Sequence, residues 1–246
     1  MKRRLFVSSS LSAIALTGCG VGNALTQNQT VRTILNSAET IDYHLIGTRG
    51  MAKEYTEADI SPTFRTNGFA TPSSSLYIGY VEDGFASYRL VVDGLVEHKR
   101  AFSIAQLRAM PLVTQITRHD CVEGWSVIGK FRGVRLGHVL SIVKPRPEAR
   151  YVIFHCMDVD DTGTPYYESL DLTQAAHPQT ILALDLNDKP IDPDHGAPVR
   201  LKIPTQLGYK SAKWVNRIEV ASTFSHLYSG KGGYWEDNGY NWYAGI

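Results

Sequence analysis

The chain has 246 residues, of which 43% are hydrophobic and 20% are charged, and its formal net charge is +1. This composition is that of a globular protein and excludes a disordered, collagen-like or disulfide-dense chain. Near-neutrality gives no electrostatic reason to expect a nucleic-acid partner. The length suits one domain, and beyond Cys19 no apolar stretch approaches the roughly 18 residues that span a bilayer.

An export signal opens the chain. Basic residues Lys2–Arg4 precede a short apolar run diluted by serine, as in a secretory signal. Arg3–Val7 resembles the twin-arginine motif of proteins exported in the folded state, and Leu16–Cys19 resembles a bacterial lipobox whose cysteine receives lipid. The alternative is a general secretion signal with an incidental cysteine. Export of a folded protein indicates that a cofactor is loaded beforehand.

These signals divide the chain into three parts. Residues 1–18 are predicted to be the signal peptide, 19–60 a lipidated tether with an irregular lead-in, and 61–246 one folded domain. We expect the domain on the periplasmic side of a bacterial membrane, anchored by lipid on Cys19 and exported by the twin-arginine route.

Short strands separated by loops dominate the predicted domain. Apolar runs and period-two alternation predict strands at Tyr88–Val92 with a return after Gly94, Leu112–Arg118, Tyr151–Cys156, Thr180–Leu186, Val199–Ile203 and Trp214–Val220. Helices are predicted at Ile104–Met110, where Ser103 and Gln106 form a capping box, and at Leu136–Val143. Because strands do not alternate regularly with helices, the pattern predicts an α+β domain and not a doubly wound one.

Two cysteines beyond the lipobox leave three possibilities for their chemistry. Cys121 and Cys156 form a disulfide that closes a loop of about 35 residues, or join His119 and His155 in a zinc site. In the third, Cys121 is the thiolate ligand of a soft transition metal carried by an organic cofactor. Adjacent residues of a strand point to opposite faces, so His155 and Cys156 make a poor zinc pair.

The neighbours of Cys121 favour the third possibility. Arg118 and His119 precede it and can stabilise a thiolate electrostatically. Glu123 places a carboxylate beside the site, or is an exposed loop charge. Trp125 supplies an apolar wall.

A second cluster, far along the chain, has the composition of an anion site. Arg200, Lys210 and Lys213 fall within 14 residues that contain no acid. Arginine and lysine bind phosphate oxygens, backbone N–H groups near Ser211 can complete the site, and Gly208 permits a close ligand approach. No P-loop or dinucleotide-binding motif is present. A solvated basic strand is the alternative.

Together these segments resemble the molybdopterin-binding domain of the sulfite oxidase superfamily, from about residue 60 to the C-terminus. The stretch Cys121–Ser126 is most similar to the bacterial branch of periplasmic protein-methionine-sulfoxide reductases. The resemblance implies a single α+β domain with a mixed sheet and without the immunoglobulin-like dimerisation domain of plant and animal relatives. It also implies one pterin per molybdenum, with Cys121 as the metal ligand.

The same resemblance assigns the cofactor contacts. They are Asn67, Ala70, Thr71, Cys156, His195, Arg200, Ser211, Ala212 and Lys213. Arg200 and Lys213 are implied to bind the pterin phosphate. Four of these positions depart from the bacterial reductases: the side chains of Ala70 and Thr71 differ, and the reductases have threonine at the position of Cys156 and asparagine at that of His195.

The implied activity is oxygen-atom transfer or related two-electron chemistry of the sulfoxide-reductase kind, with Cys121 and Glu123 at the catalytic centre. Sulfite dehydrogenation on the same fold is an alternative, but the arginines that follow the cysteine in sulfite oxidases are replaced by Val122–Gly124. A cofactor-free lipoprotein binding module with a Cys121–Cys156 disulfide is another.

The expected partners follow from the same interpretation. They are a small-molecule or protein sulfoxide, the lipid membrane, and a separate electron-transfer protein, either a membrane haem protein or a soluble cytochrome. A separate donor is expected because the chain has no haem-binding CxxCH motif. The aromatic residues from Tyr228 to Tyr243 are either a tail packed on the domain or part of a substrate funnel or docking face.

Overall fold

The computed structural model describes residues 50–66 and 68–246, with isolated positions at 28–31, 33, 37 and 43. Asp42–Ile246 form one compact unit, and a second unit, Met1–Ile41, falls mostly outside the described residues. The predicted export signal with Cys19, and Asn67, also lie outside them. In the part described, no helix is both long and apolar enough to cross a membrane.

Strands and short helices are interspersed through the described domain, which confirms the α+β prediction. The strands are β1 (Leu90–Gly94), β2 (Arg100–Phe102), β3 (Leu112–Asp120), β4 (Ser126–Arg135), β5 (Tyr151–Val159), β6 (Pro165–Asp171), β7 (Ile181–Leu186), β8 (Lys189–Pro190), β9 (Arg200–Lys202) and β10 (Val215–Ala221). The helices are α1 (Ser75–Glu82), α2 (Ile104–Arg108), α3 (Leu136–Val143), α4 (Leu172–Ala175) and α5 (Tyr234–Asp237).

Two five-stranded sheets carry the fold. The first has the order β2-β1-β10-β5-β6 and is mixed, because β1 pairs parallel to β10 and the other neighbours are antiparallel. The second has the order β3-β4-β7-β8, with β9 also paired to β7, and is antiparallel. The parallel pair joins segments more than 100 residues apart, including the partners Val92 and Ile218.

Local sequence signals account for several element boundaries. Ser103 accepts a hydrogen bond from the Gln106 backbone at the start of α2, and the Gln106 side chain binds the Ser103 N–H, which completes the predicted capping box. The strand expected directly after Gly94 begins only at Arg100. Val96 instead forms an isolated bridge with Pro145.

The sheets and loops bring distant segments to one region. Cys121 follows the last residue of β3, Arg200 begins β9, and Asp158 lies near the end of β5. Residues 208–213 connect β9 to β10 and begin with a 3-10 turn at Gly208–Lys210. The lead-in also contacts the domain, because the Tyr55 N–H donates to the Ile116 carbonyl at 2.8 Å.

Candidate active site

One cleft of the described structure contains most of the predicted site residues. Its lining includes Cys121, Glu123, Arg200, Ser211, Ala212 and Lys213. These residues come from the β3–β4 turn, the start of β9 and the connection to β10. The structure thus brings the two clusters, about 80 residues apart in the sequence, into a single cavity.

Cys121 sits in a tight turn with its sulfur facing a backbone donor. Its N–H donates to the Trp125 carbonyl at 2.9 Å, and Gly124 has a positive φ of 86° that closes the turn. The Glu123 N–H donates to Cys121 Sγ at 3.5 Å, and the cysteine is only 6% exposed. A backbone N–H directed at sulfur favours the thiolate, the form that binds metals.

The Glu123 side chain is held in a defined position at the edge of the cleft. Trp125 Nε1 donates to Glu123 Oε2 at 2.8 Å, although Glu123 itself is exposed. This hydrogen bond from the indole therefore orients the carboxylate beside Cys121.

Buried cations line another wall of the cleft. Arg200 is 3% exposed, and burial lowers its pKa to about 10. Burial, followed by repulsion from Arg200, lowers the pKa of Lys213 to about 8. Lys202, two residues further along β9, is buried outside the lining, where its Nζ donates to the Arg118 carbonyl at 3.0 Å and desolvation lowers its pKa to about 7. Clustered buried cations are unfavourable without a compensating anion, so this wall is suited to a phosphate group.

Arg200 has unused capacity to bind a ligand. One terminal nitrogen donates to the His195 carbonyl at 3.1 Å, but Nε is buried and has no hydrogen-bond partner among the described residues. An unpartnered donor of a buried guanidinium is rare in folded proteins, and here it lies in a residue that lines the cleft. A bound anion would satisfy it.

The two residues expected to stabilise the Cys121 thiolate by charge do not do so. Arg118 is exposed and pairs with Asp120 at 2.7 Å. His119 lines the cleft, but burial and the neighbouring Lys202 and Arg200 lower its pKa well below the usual value, so it is neutral. That part of the prediction is wrong, because the sequence does not reveal how deeply His119 is buried.

Lys210 does not belong to the anion site, contrary to the sequence interpretation. Its side chain is fully buried and its Nζ donates to Glu168, to Glu236 Oε1 at 2.6 Å and to the Ser169 carbonyl at 3.2 Å. Burial alone would lower the pKa of Lys210, but the two carboxylates outweigh it and raise the pKa. Through these bonds Lys210 fixes the backbone of residues 208–213, with its side chain outside the lining of the cleft.

Three further predicted contacts lie near the cleft without forming its lining. Thr71 donates to Asp194 Oδ1 at 2.6 Å, and Ala70 precedes it at the surface. His195 Nδ1 lies 2.7 Å from Asp192 Oδ1, and its carbonyl accepts the bond from Arg200. His195 thereby positions Arg200, and the predicted cofactor contacts of these three residues stay predictions.

Cys156 is a core thiol. It packs in the main hydrophobic cluster, and burial raises its pKa well above the usual value. Cys121 and Cys156 are both thiols, so the disulfide alternative is wrong. His155 points to the other face of β5, where its Nε2 lies 2.9 Å from Glu219 Oε2. Among the described residues, no group of three or more possible ligands forms a zinc site.

Comparison with known proteins decides the family. Residues 79–228 match the family of oxidoreductase molybdopterin binding domains. The chain belongs to this family. It is also 36% identical over 250 residues to a putative protein-methionine-sulfoxide reductase subunit, YedZ1, of Azospira oryzae, covering 99% of this chain and 87% of that protein.

Two further relatives match more partially. The protein-methionine-sulfoxide reductase catalytic subunit MsrP of Campylobacter jejuni is 32% identical over 144 residues, which are 54% of this chain and 48% of MsrP. The sulfane dehydrogenase SoxCD of Paracoccus pantotrophus superposes with a TM-score of 0.50 at 22% identity, over 56% of this chain and 39% of that one. The second match supports the fold alone.

Family membership makes the protein a molybdopterin-dependent oxidoreductase that uses a molybdenum–molybdopterin cofactor. The resemblance found in the sequence is thereby confirmed. The cleft fits this cofactor chemically. Cys121 offers a soft sulfur donor that suits molybdenum, and the unpartnered Nε of Arg200 offers a donor for phosphate.

Aromatic residues from the end of this oxidoreductase's chain form the mouth of the cleft. Trp235 and Tyr240 line it, and their rings stack with centroids 5.1 Å apart. Tyr209 packs edge-on against Tyr240 at 5.3 Å. Tyr243, by contrast, is buried in the domain. The packed tail is therefore confirmed for Tyr243, whereas the substrate funnel or docking face stays a prediction for the residues that line the cleft.

Gly208 must remain glycine for the cleft to keep its shape. A Cβ at this position would lie 2.5 Å from His119 Nε2 and 3.2 Å from the Asp120 carbonyl oxygen. We expect Gly208→Ala to destabilise the protein by about 1–3 kcal/mol, since the buried imidazole must move. Chemical denaturation measures the loss, with Gly79→Ala as the control, because a Cβ at Gly79 meets nothing within 4 Å and, as at Gly208, the φ is not positive. Equal losses in the two variants would contradict the steric explanation.

Proposed function

We propose that this oxidoreductase reduces sulfoxides by oxygen-atom transfer at a molybdenum bound by Cys121. The observation that supports this is the placement of the Cys121 sulfur, the clamped Glu123 carboxylate and the aromatic mouth along one cleft. When bound, the molybdenum–molybdopterin cofactor would supply the two-electron redox chemistry. The overall change is sulfoxide plus two electrons and two protons giving thioether plus water.

In this proposal different residues of the cleft bind the metal, bind the phosphate and deliver the proton. Cys121 holds the metal at the end of β3, and Arg200 with Lys213 binds the cofactor phosphate. Glu123, oriented by Trp125, carries a proton on its carboxylate to the departing sulfoxide oxygen, which must leave as water. Glu123 is exposed, so water has direct access to its carboxylate.

The mouth of the cleft favours a sulfoxide over sulfite. It presents apolar surface from Val122, Trp235 and Tyr240, which suits the carbon groups and the polarizable sulfur of a thioether. Val122–Gly124, which follow Cys121 and include the cleft residue Glu123, contain no cation that could bind sulfite. In this proposal the buried cations on β9 bind the cofactor phosphate and are therefore not available to bind sulfite. The names of two relatives, both protein-methionine-sulfoxide reductase subunits, agree with this preference.

The proposal extends to the cellular setting. The twin-arginine-like start and the lipobox-like Leu16–Cys19 support export of the folded, loaded enzyme and lipid anchoring on the periplasmic side. Electrons are delivered by a separate protein, a membrane haem protein or a soluble cytochrome, because the chain has no CxxCH motif.

A reductase assay on the loaded enzyme tests the function. With a reduced viologen dye as electron donor, we expect turnover of methionine sulfoxide and of a peptide containing it. Glu123→Gln should lower kcat by about 10²-fold or more with little change in molybdenum content, since general acid catalysis contributes on that scale. Glu148→Gln, an exposed residue outside the cleft, is the matched control and should keep full activity.

Two results would contradict the proposal. One is oxidation of sulfite with an artificial electron acceptor at a higher kcat/KM than reduction of any sulfoxide. The other is full activity in Glu123→Gln, which would remove the carboxylate from the reaction.

A further inference from the structure

Helix α5 contributes to two separate cavities. Trp235 lines the cleft described above, whereas Tyr234 and Asp237 line another cavity of about 320 Å³. The lining of this second space, which we call the tyrosine cavity, also includes Asp160, Tyr167 and Tyr228. Its size falls within the range of small-molecule sites, and the proposed reaction does not use it.

The carboxylates of the tyrosine cavity have no cationic partner. Asp160 accepts hydrogen bonds from the Thr162 hydroxyl at 2.6 Å and the Thr164 N–H at 2.9 Å, which lower its pKa to about 2, so it is ionised at neutral pH. Asp237 accepts the Lys231 backbone N–H at 2.9 Å. Among the described residues, hydroxyl and backbone N–H groups donate to both carboxylates, and no cationic side chain does. Their negative charge therefore remains uncompensated.

Three tyrosine rings surround these carboxylates. The Tyr167 hydroxyl donates to Asp237 Oδ2 at 2.6 Å, and the Tyr234 hydroxyl donates to Asp160 Oδ2 at 2.8 Å. Tyr228 is 55% exposed, and its ring centroid lies 5.0 Å from that of Tyr167 at an interplanar angle of 38°. A phenol that donates to a carboxylate has a more electron-rich ring, and the faces of such rings attract cations.

Most hydrogen-bond donors of the tyrosine cavity are already used. The hydroxyls of Tyr167 and Tyr234 bind the carboxylates, the Ser229 N–H donates to Asp237 Oδ2 at 3.2 Å, and the Asn238 side-chain amide donates to the Tyr234 carbonyl at 2.8 Å. A ligand must therefore bring its own donors or positive charge. An anion would meet negative charge here, whereas an ammonium or guanidinium group supplies both properties and has no acceptor to satisfy.

We propose that the tyrosine cavity binds an organic cation, an alkylammonium or a guanidinium group. The cation lies against the Tyr228 and Tyr167 rings, and the carboxylates of Asp160 and Asp237 compensate its charge. Such a group comes either from a free ligand or from a lysine or arginine side chain of another protein. The assignment does not depend on the reaction proposed for the cleft.

The position of the site gives a bound cation access to the entrance of the cleft. The Tyr234 ring packs edge-on against Phe69, which lines the cleft, with centroids 4.8 Å apart, and stacks on Tyr166 of the same lining at 5.8 Å. One layer of rings therefore separates the two cavities. A protein held by its basic side chain in the tyrosine cavity lies beside the aromatic mouth.

Titration of the full chain with defined cations tests the proposal. The probes are tetramethylammonium chloride and a blocked Gly-Lys-Gly peptide, and a blocked Gly-Glu-Gly peptide is the matched negative control. NMR spectra of protein with isotope-labelled tyrosine rings report binding, and the signals of Tyr228 are assigned from their loss in Tyr228→Ala. We expect saturable shifts of these signals with the cations and none with the glutamate peptide.

Two variants and two controls locate the binding. Tyr228→Ala should weaken binding about 3–10-fold, as expected for the loss of a cation–π contact, and Tyr228→Phe should retain it. Asp237→Asn should also weaken binding, whereas Glu148→Gln, which removes the same charge at an exposed position outside the cavity, should not. Melting temperatures show whether each variant is folded.

The outcomes separate the two sources of the cation. Shifts with tetramethylammonium alone assign the site to a free ligand, and shifts with the lysine peptide that tetramethylammonium reverses assign it to a basic side chain. The proposal is overturned if neither probe shifts the Tyr228 signals, or if the affinity is unchanged in folded Tyr228→Ala and Asp237→Asn. None of these results bears on sulfoxide turnover, so the function proposed for the cleft stands or fails separately.

Discussion

Replacing Cys121 with serine is expected to remove molybdenum from the protein and to lower sulfoxide turnover by about 10³-fold or more. A serine hydroxyl is a harder donor that stays protonated near neutral pH, whereas the buried Cys121 sulfur receives a backbone N–H that favours its thiolate. Molybdenum per chain by elemental analysis and turnover with a reduced dye measure the two effects.

The pterin content of the same variant provides its internal control. In the proposed arrangement Arg200 and Lys213 would still bind the phosphate in Cys121→Ser, so we expect pterin to remain bound while the metal is lost. Loss of both would point to a collapsed cleft, which the circular dichroism spectrum and melting temperature would reveal. Wild-type molybdenum together with wild-type turnover in the serine variant would remove Cys121 as the metal ligand.

Replacing Lys210 with methionine is expected to destabilise the protein by about 3–5 kcal/mol. The substitution leaves Glu168 and Glu236 facing each other in a fully buried site without a cation. Burial, followed by repulsion from Glu236, already raises the pKa of Glu168 well above its usual value. The free energy of unfolding from denaturant titration measures the loss. Lys99→Met, at an exposed position, is the control.

The loss in Lys210→Met should depend on pH in a defined direction. A carboxyl whose pKa is raised in the folded state binds a proton more tightly there than in the unfolded chain. Stability therefore falls as pH rises from the unfolded value of about 4.3 toward the raised folded value. We expect a larger destabilisation at pH 8 than at pH 5. A combined variant with Glu168→Gln and Glu236→Gln should recover most of the loss, and failure to recover would indicate that packing, not charge, is responsible.

The local features of this fold follow from its sequence because they depend on near neighbours. The alternation in Leu112–Arg118 predicts β3, and the capping box at Ser103 predicts the start of α2. In α3 the buried residues Leu136, Val139, Leu140 and Val143 follow helical spacing. The metal-ligating and phosphate-binding candidates were identifiable because each cluster is contiguous in the chain.

The features that the sequence does not reveal all depend on contacts between distant segments. Lys210 resembles its neighbours Arg200 and Lys213 in the sequence, but its partners lie 42 and 26 residues away. Asp158 attracts no notice as one aspartate among several near the end of a strand. Only the packing of β5 against neighbouring segments shows that it is buried and faces the cofactor cleft.

The buried Lys210 connects the turn at Gly208–Lys210 to helix α5 at the mouth of the cleft. It is part of the turn that contributes Gly208 and Tyr209 to the cavity, and it is bound to Glu236 in α5, next to Trp235 at the entrance. Any shift of α5 must carry this turn along or break an ion pair inside the protein. With the proposed function, the entrance of the cleft and the turn beside the cofactor are mechanically coupled through this ion pair, and we expect a partner bound at the aromatic mouth to shift the cofactor.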